Sequence, residues 1–263
     1  MRFSLTFRKT GQKQTLPLNY QYELASWIYK TIHRSDSAFV SFLHDRGYLA
    51  NGKGFKLFTF SNLKLPKFQI QGDRLLLQGD TLSLQLTFAL EQSAQHFIQG
   101  LFQQQRFSLG DRQSQVDLEV QQIEAMPTPT LAEGSQLRFR TLSPLCVSSS
   151  REHYGKIMPL YHHPADDGYE NLLLQNLLNK YTAAHGHFPL PPLRPDGEFA
   201  FKVLSEPKSR LVTIKANTPQ ETKVRGFLFD FELQAPEALL QLGYAAGLGE
   251  KNSLGFGCVE VVG

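Results

Sequence analysis

The chain has 263 residues, of which 41% are hydrophobic and 19% are charged, and 27 basic against 24 acidic residues give a formal net charge of +3. At about 100–200 residues per domain, this length predicts two compact domains, and the composition excludes a disordered, collagen-like or coiled-coil protein. No apolar run approaches the roughly 18–20 residues of a membrane helix, and the start, MRFSLTFRKTGQKQ, lacks the apolar core of a signal peptide. Two cysteines without a CxxC pair fit a reducing compartment, so we expect a cytoplasmic protein with no membrane partner.

The first 125 residues are predicted to form one domain that starts with a strand. Phe3, Leu5 and Phe7 alternate with polar residues, which is typical of a strand with one buried face. A helix is expected from about Tyr20 to His33, because its apolar residues recur every three or four positions. Asp36 is placed to cap a short helix, DSAFVSFLH. The remaining elements are expected in this order: a strand at FKLFTFS, a hairpin at FQIQGDRLLLQ with its turn at Gly72-Asp73, a strand at SLQLTFAL, a helix over about 92–105, and strands at RFSLG and QVDLEVQQIEA.

Residues 126–136, MPTPTLAEGSQ, are the best candidate for a linker, because prolines, threonines and a glycine interrupt the periodic pattern there. Residues 137–263 are then predicted to form a second domain with the same order of elements. We expect a strand at LRFRTLSPLCV, a helix at NLLLQNLLNKYTAA, a hairpin at GEFAFKVLSEPKSRLVTIK, one long strand at TKVRGFLFDFEL, a helix at PEALLQLGYAAG and a final strand at FGCVEVV. Strand–helix–strand–strand–helix–strand in both halves predicts an α+β fold of two tandem ferredoxin-like (RRM-like, βαββαβ) domains.

The basic residues are unevenly distributed along the chain. Residues 2–13 contain four basic residues and residues 46–67 contain five, with no acid in either stretch. Residues 202–225 contain six basic residues against two acids. Such segregation predicts a face that binds a polyanion, and an ordinary solvated surface is the alternative.

A glycine-rich loop, GLGEKNSLGFG at residues 247–257, is the most specific string in the chain. It lacks the GK[ST] ending of a Walker loop, and Asn252 stands at the third glycine position of the dinucleotide-binding motif. It is also expected after a helix and before a strand, which reverses the order of both motifs. Glycines let backbone N–H groups approach a phosphate closely, while Lys251 and Ser253 add charge and hydrogen-bonding capacity. The loop therefore predicts phosphate-backbone binding, with a tight helix–strand turn as the alternative.

Together with the preceding LLQLGYAAG, this loop resembles the hallmark loop of the CRISPR-associated endoribonucleases that process repeat RNA, the sixth CRISPR-associated protein family. Further segments resemble that family in the family's order, and they cover nearly the whole chain: LPLNYQYELASWIYKTI, FLHDRG, GFKLFTFS, TLSPLCV and NLLLQNLLNKY. The resemblance implies cleavage of precursor crRNA without a metal or other cofactor. In that reaction a 2′-hydroxyl attacks the adjacent phosphate and leaves a 2′,3′-cyclic phosphate and a 5′-hydroxyl.

This chemistry needs a base for the 2′-hydroxyl, an acid for the 5′ oxygen and positive charge beside the phosphate. The resemblance implies that Tyr29 in WIYKTI, His44 in FLHDRG and Lys56 in GFKLFTFS are the catalytic residues. An imidazole exchanges protons near neutral pH, a lysine stabilises negative charge, and a tyrosine positions or donates. His33, one helical turn after Tyr29, is the alternative catalytic histidine.

CRISPR repeat RNA is the expected partner, with other CRISPR effector-complex proteins and a second copy of the chain as open alternatives. The predicted RNA contacts are Lys53 in the basic stretch and, in the loop, Gly247, Gly249, Lys251, Asn252, Ser253, Gly255 and Gly257. His162-His163 with Asp166-Asp167, and His185 with His187, lack a cysteine pair or HExxH motif, so no metal site is expected. Two rival functions stay open: a non-catalytic RNA-binding subunit of a CRISPR ribonucleoprotein, and an unrelated protein with the same fold.

Overall fold

The structure is a computed structural model that describes residues 1–131, 136–153, 155–187 and 198–262. In the first half, one antiparallel sheet packs against two long helices. Its elements are β1 (Arg2–Pro17), α1 (Gln21–Ser35), α2 (Ser37–Asp45), β2 (Tyr48–Ala50), β3 (Lys53–Phe55), β4 (Phe58–Phe60), β5 (Phe68–Gln71), β6 (Arg74–Leu77), β7 (Thr81–Phe88), α3 (Glu91–Gln103), β8 (Arg106–Gly110) and β9 (Gln115–Met126).

The first half has the strand order of a ferredoxin-like domain. β1 lies between β7 and β9, and β4 pairs with the other edge of β7, so the order is β4–β7–β1–β9. The far end of β1 pairs with β6, and β5 and β6 form the predicted hairpin. Trp27 on α1 stacks on Phe107 and meets Phe97 edge-on, with ring centroids 4.4 and 5.7 Å apart. The Asp36 carboxylate accepts a hydrogen bond from the Phe39 N–H, which confirms the predicted cap of α2.

The second half repeats this order. Its elements are β10 (Leu137–Thr141), β11 (Ser148–His153), β12 (Lys156–Tyr161), α4 (Tyr169–Ala184), β13 (Ala200–Val203), β14 (Lys208–Ile214), β15 (Thr222–Leu228), β16 (Asp230–Gln234), α5 (Glu237–Ala246), a 3₁₀ turn (Asn252–Leu254) and β17 (Val259–Val261). The sheet order is β13–β16–β10–β17, which corresponds strand for strand to the first half. The prediction of two tandem ferredoxin-like domains is therefore confirmed.

Four predictions of local structure were wrong. The predicted strand LRFRTLSPLCV ends at Thr141, where β10 stops. The segment FKLFTFS is not one strand, because Leu57 has a φ of 54° and separates β3 from β4. β13 and β14 do not form a hairpin with each other, since β13 pairs with β16 and β14 with β15. The predicted long strand breaks at Phe229, whose N–H donates to the Thr141 hydroxyl, so its two halves belong to different sheets. The ribbon of β11 and β12 was not predicted.

Residues from both halves meet in a tight interface. Arg2, counted above among the basic residues, is buried, and its guanidinium donates to the Val259 carbonyl (2.7 Å) and lies over the Tyr244 ring. The Thr59 hydroxyl on β4 donates to the Phe256 carbonyl of the glycine-rich loop (2.8 Å). Of the predicted linker, residues 132–135 lie outside the described residues, and Leu131 is buried in the second core. The interface thus fixes the glycine-rich loop against the first sheet.

Candidate functional site

The three predicted catalytic residues come together, although they lie on separate elements. Tyr29 lies on α1, His44 on the last turn of α2, and Lys56 between β3 and β4. The Lys56 ammonium donates to the backbone carbonyl of His44, with 2.9 Å between Nζ and O. The rings of Tyr29 and His44 are nearly perpendicular, with centroids 6.1 Å apart. His33, the alternative histidine, is exposed on α1.

Tyr29 is held as a neutral phenol at neutral pH. Burial raises its pKa to about 12, and a hydrogen bond with the side chain of Ser253 only partly opposes this shift. Its ring also packs edge-on against Phe58, with centroids 5.6 Å apart. Tyr29 is therefore suited to donate a hydrogen bond rather than to act as a base.

His44 and Lys56 present their charged or titratable groups at the surface of the same site. The His44 side chain is 74% exposed, and its Nδ1 lies 3.0 Å from an oxygen of Asp45, which orients the ring and leaves Nε2 for proton transfer. Burial lowers the pKa of Lys56, and the charge of Asp45 acts in the opposite direction. An ammonium that is partly removed from water interacts more strongly with an anion than an exposed one.

A cleft of about 630 Å³ opens beside Lys56. One wall is β3 with the residues that follow it, the other wall is the glycine-rich loop, and α4 contributes the floor. Glu250 is the one acid among the described lining residues, and it stands against three lysines that reach the surface, Lys53, Lys56 and Lys251, besides the buried Lys180. The cleft therefore has the charge expected of a site for a polyanion.

Many polar groups of the glycine-rich loop are hydrogen-bonded to other groups of the protein. The Asn252 amide donates to the carbonyls of Leu248 and Phe256, at 3.0 Å each. Six backbone N–H groups of the loop are also bonded to protein carbonyls, namely those of residues 247, 248, 250, 254, 255 and 257. A Cβ on Gly257 would lie 1.8 Å from the Leu248 carbonyl oxygen, and this close approach explains the glycine without a ligand. Gly249, Lys251, Asn252 and Ser253 line the cleft, and contact of the loop residues with RNA stays a prediction.

Sequence reasoning missed a buried lysine under this loop. Lys180 on α4 is 2% exposed, and its ammonium donates to the carbonyls of Gly247 (2.5 Å) and Gly249 (2.7 Å). Burial lowers its pKa to about 7, against the opposing charge of Glu250. A signal existed, because Lys180 follows Leu173 and Leu177 at the helical spacing of the buried face.

The two histidine groups considered above serve local structure. The rings of His162 and His187 contact Ser149 (2.7 Å) and Tyr48 (centroids 5.0 Å apart), respectively. Within the described ranges, no three His, Cys, Asp or Glu side chains are grouped so that they could hold a metal ion. In the same part of the chain, no helix has the length and apolar character needed to cross a membrane.

Comparison with known proteins agrees with this architecture. The family model for "CRISPR-associated protein Cas6, N-terminal" matches residues 15–123, and the model for "CRISPR associated protein Cas6, C-terminal" matches residues 126–261. CRISPR-associated endoribonuclease Cas6 1 of Methanocaldococcus jannaschii is 27% identical over 98% of this chain and 92% of its own length. A Pyrococcus furiosus protein named putative CRISPR-associated endoribonuclease-like protein Cas6 is 24% identical over 100% and 99%. A solved structure described as an RAMP protein binding different RNA substrates has the same fold, with a TM-score of 0.82 and 23% identity over 100% of both chains.

Proposed function

The chain belongs to the Cas6 family of CRISPR-associated proteins, and we propose that it is the endoribonuclease that cleaves the repeats of precursor crRNA. One observation carries this proposal: Tyr29, His44 and Lys56 converge at the edge of a cationic cleft. Relatives that extend over nearly the whole chain are named Cas6 endoribonucleases, which supports the same activity. We place the reaction in residues 1–125 and the loop that holds the RNA in residues 137–263, joined by residues 126–136.

We propose a transesterification that needs no metal ion. The 2′-hydroxyl loses its proton to a base and its oxygen bonds to the adjacent phosphorus, while the bond from phosphorus to the 5′ oxygen breaks and that oxygen gains a proton. His44 is the proposed proton carrier, because its exposed imidazole has Nε2 available. Lys56 stabilises the extra negative charge on the phosphorane, and the neutral phenol of Tyr29 donates to a phosphate oxygen. The products are a 2′,3′-cyclic phosphate and a 5′-hydroxyl.

We propose that the repeat RNA lies along the cleft between β3 and the glycine-rich loop. Lys53 and Lys251 are exposed on the two walls and would neutralise phosphates, and Ser253 adds a hydroxyl next to Tyr29. A cytoplasmic location, contacts with other proteins of a CRISPR effector complex and a homodimer belong to the same hypothesis.

A second candidate function is a non-catalytic RNA-binding subunit of a CRISPR ribonucleoprotein. Two of the candidate catalytic side chains already have partners within the protein, which favours this function. Lys56 donates a hydrogen bond to the His44 carbonyl, and Tyr29 is hydrogen-bonded to Ser253. The name of the P. furiosus relative likewise stops at "endoribonuclease-like". This candidate predicts binding of the same RNA without a cut.

Incubation of the protein with its cognate repeat RNA in EDTA tests the proposal. We expect one cut, with a cyclic phosphate on the upstream product and a 5′-hydroxyl on the downstream product. A 2′-deoxy nucleotide immediately upstream of the cut should abolish cleavage but leave affinity unchanged. Tight binding without a cut favours the non-catalytic subunit, and cleavage of the 2′-deoxy substrate refutes the proposed nucleophile.

A further inference from the structure

We propose that Asn179 and Lys180, two consecutive residues of α4, are positioning residues that hold the two walls of the cleft at their working separation. The inference rests on the proposed function, because it assigns these residues to the same RNA-binding cleft. Both side chains are buried, at 7% and 2% exposure, although neither residue type is common in a protein interior.

Lys180 holds the wall formed by the glycine-rich loop. Its ammonium donates to the carbonyls of Gly247 and Gly249, which flank Leu248 at the start of the loop. A buried amine that donates to two carbonyls holds both of them in place, because losing it would leave buried acceptors without a partner. These bonds therefore hold the backbone that carries the next two residues, Glu250 and Lys251, which line the cleft.

Asn179 holds the opposite wall, which is the hairpin of β2 and β3. Its side-chain oxygen accepts a hydrogen bond from the Asn51 amide, with 2.7 Å between Nδ2 and Oδ1, and a longer one from Gln175. Asn51 and Gly52 form the two-residue turn of this hairpin, with φ values of 49° and 73°. β3 begins with Lys53 and leads to Lys56, and both residues line the cleft. The contact thus joins a turn of the first domain to a helix of the second.

The helix that carries this pair is itself anchored in both halves of the molecule. Leu173 and Leu177 pack in the core of the second domain, whereas Ala183 and Ala184 pack in the core of the first. Consecutive residues of a helix point about 100° apart, so Asn179 and Lys180 reach two different elements from one rigid base. The separation between the lysines on the β3 side and Lys251 therefore depends on α4 as well as on the walls themselves.

Hydrogen exchange of the RNA-free protein tests each contact separately. Lys180→Met keeps the apolar stem but removes both carbonyl bonds, so amides of residues 247–257 should exchange at least about tenfold faster. Asn51→Gly removes the other contact but keeps the positive φ, so exchange should rise in residues 48–55 instead. The matched control is Arg112→Met, which removes an exposed positive charge and should change neither segment.

A double-mutant cycle with uncleavable 2′-deoxy repeat RNA then tests positioning. Lys251→Ala should weaken binding in the wild-type background and lose most of that effect in the Lys180→Met background, because Lys251 is no longer held at the cleft. A loss of overall stability alone would leave the two effects additive. Unchanged exchange in residues 247–257, or an undiminished Lys251→Ala effect, overturns the proposal.

Neither hydrogen exchange nor the RNA-binding cycle depends on cleavage. Both can therefore be measured even if the protein binds RNA without cutting it. If Lys180→Met does not fold, Asn51→Gly at the exposed turn gives the decisive result. In a double-mutant cycle of Asn51→Gly with Lys53→Ala, the two effects on RNA binding should likewise be non-additive. Additive effects would overturn the assignment of Asn179 as a positioning residue.

Discussion

The Lys56 ammonium donates a hydrogen bond to the backbone carbonyl of His44, with 2.9 Å between the two atoms. This bond joins the end of α2 to the segment between β3 and β4, and it fixes the position of the cation relative to the imidazole. A phosphate oxygen is a stronger acceptor than a neutral carbonyl, so a bound RNA can take over the ammonium without moving the lysine far. Under the proposed mechanism, this contact holds Lys56 ready at the place where charge would develop during cleavage.

His44→Ala is expected to slow cleavage of saturating repeat RNA by about 10²–10⁴-fold with little change in affinity, because general acid–base catalysis is lost. Single-turnover kinetics and a filter-binding assay measure the two quantities. His33→Ala is the matched control on the same face of α1 as Tyr29 and should cleave normally. If His33→Ala loses activity and His44→Ala retains it, the histidine has been assigned wrongly.

Tyr29→Phe is expected to slow the single-turnover rate by about 10²-fold, since one donor to the transition state is lost while the ring packing on Phe58 remains. Ser253→Ala is the matched control, because it removes the partner of the phenol but keeps the phenol. A smaller loss in Ser253→Ala than in Tyr29→Phe would show that the phenol acts beyond its hydrogen bond with Ser253. An unchanged rate for Tyr29→Phe would exclude it from catalysis.

The order of the elements could be predicted because their apolar residues follow the period of a strand or a helix. Phe3, Leu5 and Phe7 are all buried in the first core, as their alternation requires. The same reasoning failed around Phe229, because alternation continues through β15 and β16 although they belong to different sheets. Periodicity reports which face is buried, but it does not report which strand supplies the hydrogen bonds.

The site was only partly predictable for a related reason. The resemblance proposed Tyr29, His44 and Lys56 as candidates, and the structure shows that they lie close together, while their catalytic role stays a prediction. Lys180 was missed because a lysine inside an amphipathic helix ordinarily lies in solvent, and its carbonyl partners are 67 and 69 residues away in sequence. Its spacing from Leu173 and Leu177 indicates the buried face, but contacts over such separations leave no local pattern that identifies the partners.

Lys251→Ala is expected to weaken binding of repeat RNA and to reduce the slope of log Kd against log salt by about 1, because one phosphate contact is lost. Titrations at several salt concentrations measure the slope. Arg112→Met removes a charge away from the cleft and should leave the slope unchanged. A slope that stays the same in Lys251→Ala would place this lysine outside the RNA interface.

Gly257→Ala is expected to destabilise the protein more than Gly52→Ala. Both glycines have a positive φ, 71° and 73°, so the backbone strain of an alanine is similar, about 1–2 kcal/mol. A Cβ on Gly52 meets nothing within 4 Å, whereas one on Gly257 would lie 1.8 Å from the Leu248 carbonyl oxygen. Urea unfolding should therefore show an additional loss of about 1–3 kcal/mol for Gly257→Ala. Equal losses of unfolding free energy in the two variants would mean that the loop accommodates the Cβ at residue 257 without an energetic cost.

The buried ammonium of Lys180 predicts that stability increases with pH above neutrality. Burial lowers its pKa from 10.5 to about 7. Between these values the unfolded chain holds a proton that the folded chain has released, so the free energy of unfolding rises with pH. Below pH 7 both states are protonated and the dependence disappears.

Urea unfolding of the wild type and of Lys180→Met at pH 6, 7, 8 and 9 measures this dependence. From pH 7 to 9 the wild type should gain about 2 kcal/mol relative to the variant, since each pH unit contributes at most about 1.4 kcal/mol. The neutral amine retains two N–H groups, which suffice for the carbonyls of Gly247 and Gly249, so the loop contact persists. The free energy of unfolding of Arg112→Met should change with pH in the same way as that of the wild type. A difference between wild type and Lys180→Met that does not change with pH would show that the lysine stays charged inside the protein.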